Sequence, residues 1–152
     1  MWQLNLPTCK FSIKKQNEKP YIFDSQRKKY VSLTPEEWVR QNFIQYLILQ
    51  KSYPAALLAI EKQLIINGLR KRCDAILYDF SGNPVMIIEF KSPGVTISQA
   101  TFDQAAVYNL KLKVDFFMIS NGMQHYCCKI DHENSKYLFF ENIPDFNTLM
   151  NS

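Results

Sequence analysis

The chain has 152 residues, 47% hydrophobic and 14% aromatic, with a net charge of +4 and a pI near 8.8. That length fits one domain burying about two thirds of its unfolded surface, and the composition excludes a disordered tail. The mild basicity is compatible with nucleic acid but does not single it out. The absence of any apolar run near 18 residues speaks against a membrane span, and no leader pattern is evident, so the cytoplasm is expected. Four cysteines (Cys9, Cys73, Cys127, Cys128) show no Cys-x-x-Cys spacing and read as reduced thiols rather than a disulfide framework or a zinc site.

Residues 1–33 hold short β-like runs, Phe11 to Lys15, Tyr21 to Phe23 and Tyr30 to Leu33, with Lys14-Lys15 and Arg27-Lys28-Lys29 among them. They are expected to form an N-terminal extension, with the main domain spanning 34–152. Thr34-Pro35-Glu36-Glu37 is a helix start: Thr34 caps, Pro35 suits the first position and Glu37 can close a capping box. Val39, Phe43, Ile44, Leu47 and Ile48 then form an apolar stripe to about residue 50. Tyr53-Pro54 ends that helix, and Ala55 to Ile60 is expected to be a short second one.

Strands are predicted at 63–66 and 72–79, joined by a turn at Asn67-Gly68, and at 85–91 after Ser81-Gly82-Asn83-Pro84. A helix starting at Thr96 or Ser98 should run to about Leu112, with Phe102, Ala106 and Leu110 on one side. Asn121-Gly122 between Asp115–Ser120 and Met123–Ile130 is a hairpin signal. A last strand at Tyr137–Phe140 precedes a tail expected to fray. The order of helix, three strands, helix and further strands predicts an α/β fold with a central mixed sheet flanked by helices.

One strand carries the chemistry. In Val85-Met-Ile-Ile-Glu-Phe-Lys91 alternation puts Glu89 and Lys91 on one face and Met86, Ile88 and Phe90 on the other. Burying such charges without partners costs several kcal/mol, so a compensating group is expected. Asp74 interrupts the apolar alternation of 72–79, and a hairpin at Asn83-Pro84 would bring it beside Glu89. Two carboxylates plus a main-chain carbonyl make a hard oxygen site of the kind Mg²⁺ prefers. A neighbouring lysine suits the water and the charge of phosphodiester hydrolysis. Gln104 and Tyr108, at i and i+4, share a helix face from which they can reach a phosphate or a site residue. Each part alone is weak. Glu-x-Lys is a common surface pair, and Asp74 by itself fits a salt bridge to Arg70 or Arg72.

Together, Leu33-Thr-Pro-Glu-Glu-Trp-Val-Arg-Gln41, the Arg-x-Arg-x-Asp run ending at Asp74, Glu89-Phe-Lys91 and Gln104-Ala-Ala-Val-Tyr108 resemble the N-terminal nuclease domain of type I restriction enzyme R (motor) subunits. That family lies in the RecB-like branch of the PD-(D/E)xK nuclease superfamily, and the resemblance runs from about residue 20 to 130. It implies a restriction-endonuclease-like core and Mg²⁺-dependent cleavage of DNA, with Mn²⁺ able to substitute. Asp74, Glu89 and the Phe90 carbonyl would bind the metal, Lys91 would be catalytic, and Gln104 and Tyr108 would support the site. The family's first-helix glutamate matches Glu37, with Glu36 as a substitute and a capping-box role as the competing reading. Cys73 stands where the motif name has proline. Implied partners are DNA and restriction-modification or helicase subunits. Relatives carry helicase domains after this module, so a sequence stopping at Ser152 reads as a stand-alone homologue or an excised domain. The alternative function is a catalytically silent DNA-binding or partner-docking module that keeps the fold.

Overall fold

Thr34 opens the first long helix as its sequence requires: the Thr34 hydroxyl accepts from the Glu37 amide at 3.1 Å, and α1 runs Pro35–Gln50. The structure, a computed structural model, describes residues 2–152. A six-stranded sheet follows in spatial order β4-β5-β6-β7-β8-β9. Its strands are β4 Leu58–Ile66, β5 Leu69–Tyr78, β6 Pro84–Phe90, β7 Phe116–Ser120, β8 His125–Asp131 and β9 Lys136–Phe139. Neighbours are antiparallel except β6 and β7, which run parallel because α2 (Gln99–Leu112, capped by Ser98) crosses between them. The sheet is therefore mixed, as expected.

Each face of the sheet has its own core. Val39, Phe43, Ile44 and Leu47 of α1 pack against Ala75, Leu77, Met86, Ile88, Phe90 and Cys127. Phe102 and Ala106 of α2 pack on the other side against Ile76, Ile87, Phe117, Ile119 and Cys128. Met86, Ile88 and Phe90 thus share a face, with Ile87 opposite, and the adjacent thiols of Cys127 and Cys128 enter different cores. All four cysteines are free. Burying each large side chain fully contributes about 1.5–3 kcal/mol.

Two expectations need correction. Ala55–Leu57 is only a 3₁₀ turn, and the chain enters β4 at Leu58, because Leu58, Ala59 and Ile60 pair with Leu77, Ile76 and Ala75. The tail does not fray: Asp145 caps a short helix, α3 (Phe146–Met150), whose Leu149 is fully buried. The Tyr53 hydroxyl donates to the Pro144 carbonyl at 3.0 Å and ties this segment to the end of α1.

β4 and β5 change faces partway. Leu58 and Ile60 belong to the α1-side core, yet Leu64 and Ile66, of the same parity, belong to the α2-side core. Cys73 and Ala75 divide in the same way. The switch falls at Glu61, which adopts φ +49° and is the one position missing from an otherwise continuous ladder. Asp74 sits opposite it.

A separate three-stranded antiparallel sheet precedes α1: β1 Ile13–Gln16, β2 Lys19–Asp24 and β3 Lys29–Ser32. Ile22 and Asp24 are buried, and Tyr21 and Phe23 lie half-buried on the opposite face of the strand. Arg27 fixes the sheet in place. Its guanidinium bonds Asp24 and lies 3.0 Å from both Glu37 and Glu61. Arg40 bonds Glu37 and reaches Glu61 at 3.0 Å. No helix of the chain is long and apolar enough to cross a membrane.

Candidate active site

The chemistry gathers where β5 switches face and β6 ends. Asp74 accepts the Phe90 amide through Oδ2 at 2.8 Å, which fixes its carboxylate at the end of β6. Phe90 is held in turn by the core, 2% exposed and edge-on to Phe43 at 5.7 Å between ring centroids. Glu89 is buried on the α2 side, and its Oε1 has no hydrogen-bond partner. The nearest cation is Lys71, whose Nζ is 3.6 Å from that oxygen, too long for a good hydrogen bond. Burial, then the neighbouring charge and contact of Asp74, push the Glu89 carboxyl up to about 7, against the opposing pull of Lys71 and Lys91.

Lys91 follows β6, anchored by its own amide on the Ser120 carbonyl at 2.9 Å. Its ammonium stabilises the charged forms of both Glu89 and Glu36. The structure therefore puts Asp74 against Glu89, with the charge of Lys91 felt at Glu89 and Glu36. Tyr108 joins them indirectly, with Lys71 Nζ lying 5.0 Å from its ring centroid. Gln104 lies one turn earlier on α2 and is exposed.

The two α1 carboxylates part company. Glu37 is buried and taken up by Arg27, Arg40 and the Gln41 amide, which donates at 3.2 Å. Its side chain does not close a capping box; it holds the small sheet to the helix. Glu36 stands at the rim of the site, where partial burial and then Asp74 raise its carboxyl above the usual range.

Lys71 was not anticipated. It lies in the run Arg70-Lys-Arg72, whose clustered charge gives no hint of which cation turns inward. Alternation around the face switch at Asp74 decides it: Arg72 is mostly exposed and pairs with Glu61 at 3.5 Å, whereas Lys71 reaches Glu89.

A cleft of about 570 Å³ opens over Asp74 and Phe90 and is walled by Glu36, Glu37, Arg40 and Glu61 on one side. The other wall comes from the small sheet: Tyr21, Lys29, Tyr30, Val31 and Ser32. Among the described residues no three His, Cys, Asp or Glu side chains gather as a ready metal cage. The donors present are hard oxygens, and Mg²⁺ keeps several of its own waters, so a carboxylate pair with one orphaned oxygen fits that ion better than one needing a full protein cage.

A family model described as the type I restriction enzyme R protein N terminus (HSDR_N) matches residues 35–144, well over half of the chain. A solved structure described as a fragment of an HsdR subunit of a type I restriction enzyme, from Vibrio vulnificus YJ016, is similar at 21% sequence identity with a TM-score of 0.40. The similarity covers 62% of this chain and 18% of that one, so the chain spans less than a fifth of that relative's length. No curated protein matches the chain significantly.

Proposed function

Starting from the chain's membership of the family of type I restriction enzyme R protein N termini, we propose that the Asp74–Glu89 carboxylate pair, with Asp74 on the cleft wall, is a Mg²⁺-dependent site for hydrolysing DNA phosphodiesters. The observation that carries this reading is Glu89, a buried carboxylate with an orphaned oxygen, pressed against a second carboxylate and bordered by two lysines. Leaving such a group buried and unpaired costs several kcal/mol unless a ligand compensates it. Asp74 and Glu89 would hold the ion, with the Phe90 carbonyl as a further ligand. Bound there, Mg²⁺ would supply Lewis acidity and a water of lowered pKa.

The chain's own residues do the rest. The Phe90 amide orients Asp74 by donating to its Oδ2, which turns the carboxylate towards Glu89. Lys91 places an ammonium beside Glu89 and Glu36, where it orients the attacking water and stabilises charge building on the phosphate oxygens. Glu36, rather than Glu37, is the helix carboxylate of this site. Lys71 holds Glu89 and packs on Tyr108, which makes Tyr108 a positioning residue. Gln104 would reach the substrate from the exposed side of α2. The partners are DNA and, in the type I setting, the other subunits of a restriction-modification complex.

Purified protein incubated with supercoiled and linear DNA should nick or trim it with Mg²⁺ or Mn²⁺ and not with EDTA. Lys91→Ala or Asp74→Ala should reduce the rate about 10²-fold or more with an unchanged fold. Metal-independent or absent cleavage of every DNA form at high protein concentration would sink the proposal. Lys71 favours a second reading, a silent docking module, because its ammonium already supplies positive charge to Glu89. Calorimetry decides between the two: Mn²⁺ binding lost in Asp74→Ala supports the hydrolytic site, and no binding to the wild type supports the silent module.

A further inference from the structure

The chain's positive charge is unevenly placed. Residues 1–33 contain seven Lys and Arg against two Asp and Glu, a net +5, and the remaining residues contain eleven against twelve, a net −1. Of the seven, Arg27 is spent on Asp24, Glu37 and Glu61. The other six are lysines, and none of them is in an ion pair among the described residues. The outward face of the small sheet also carries rings. Tyr21 and Phe23 alternate with buried Ile22 and Asp24, and Tyr30 lies opposite Phe23, their rings edge-on at 5.3 Å. Tyr30 is 39% exposed, and Lys14 Nζ sits 4.1 Å above its ring. Tyr21 and Phe23 are half-buried, so Tyr30 is the most open of the three rings on this face.

We propose that this face binds an unpaired DNA strand and feeds it into the cleft. Tyr21 and Tyr30 of this face also line the cleft that holds Glu36, Asp74 and Phe90, so the face and the cleft share residues. Bases stack on exposed aromatic rings, and each stacked base contributes about 1–3 kcal/mol whatever its identity. Lys14, already poised over Tyr30 by a cation–π contact, is placed to meet a phosphate when a base takes its position on the ring. Lys29 does the same at the cleft mouth. A duplex hides its bases in its own stack and would engage only the lysines, leaving the rings unused. The strand's destination rests on the hydrolytic reading of the site, but its binding does not.

The test is fluorescence anisotropy with the full chain in EDTA, using a labelled strand of about 12 nucleotides, a span within known single-strand site sizes, and the same strand annealed to its complement. The single strand should bind more tightly than the duplex. Tyr30→Ile keeps strand-forming bulk without a π-face and should weaken single-strand binding about tenfold, with Tyr21→Ile doing likewise and Tyr30→Phe retaining it. Lys29→Ala should flatten the salt dependence by about 0.7 log unit per log unit of salt. Duplex bound as tightly as the strand, or Tyr30→Ile and Tyr21→Ile binding like the wild type, would overturn the proposal. Because the anisotropy is read in EDTA and cleavage needs Mg²⁺ or Mn²⁺, loss of strand capture and loss of cleavage are read separately.

Discussion

Glu89 sets the behaviour of the metal-free protein with pH. Its carboxyl ordinarily titrates near 4.5 and is pushed up to about 7 here, so folding takes up a proton between those values. Stability must therefore fall as pH rises across that window, because the native state binds more protons than the unfolded one. Glu89→Gln should remove that slope and gain roughly 1–3 kcal/mol at pH 8. Urea unfolding in EDTA at pH 5 and pH 8 measures it, and identical pH slopes for wild type and variant would contradict the assignment. At this scale the sequence was partly legible. Asp74, Glu89 and Lys91 could be placed by alternation and a hairpin alone, since both are local geometry. Glu36 and Glu37 could not be told apart, because Arg27, ten residues upstream, captures Glu37, and that contact is tertiary.

At the scale of elements, the turn between β7 and β8 is closed by Gly122 at φ +85°. A Cβ there would lie 2.7 Å from Leu4 Cδ2 and 3.1 Å from Val39 Cγ2. Asn5 donates its amide to the Gly122 carbonyl at 2.9 Å, so the N-terminal segment is laid directly over this turn. Gly122→Ala combines a left-handed backbone with that contact and should cost about 1–3 kcal/mol. Because Leu4 has a movable side chain, Leu4→Ala added to Gly122→Ala should restore less than half of the loss, the backbone term remaining. Thermal melts of the two variants report this. Asn121-Gly122 was readable because hairpin chemistry is written in two adjacent residues. The start of β4 was not: Leu58-Ala59-Ile60 becomes a strand through partners at 75–77, and nothing in those three residues announces them. The short helix α3 was missed for a similar reason, its apolar residues gaining their value from burial against a distant segment.

For the whole molecule, the cleft exists because two sheets are held a fixed distance apart by charge. Arg27 reaches from the small sheet to α1 and β4, and removing it would leave Glu37 and Asp24 buried with less compensation. Arg27→Ala should lose about 2–4 kcal/mol and expose residues 1–33 to limited proteolysis before the six-stranded sheet is cut. Simultaneous cleavage of both parts would show that they open together. The α/β architecture was legible from element order, since helix–strand alternation leaves few layer arrangements. The placement of the small sheet was not, because it depends on a network linking Asp24, Arg27, Glu37, Arg40 and Glu61 that only the folded chain assembles.

Cys127 and Cys128, neighbours in the chain, lie in cores on opposite sides of the sheet, and burial raises both thiols well above their ordinary range. Each is thus a built-in gauge for one half of the molecule. An alkylating reagent can meet Cys127 only when the α1 layer lifts, and Cys128 only when the α2 layer does. Mass spectrometry that resolves the two adducts would time the opening of each layer in a single unlabelled sample, with the peptide bond between them as the common zero.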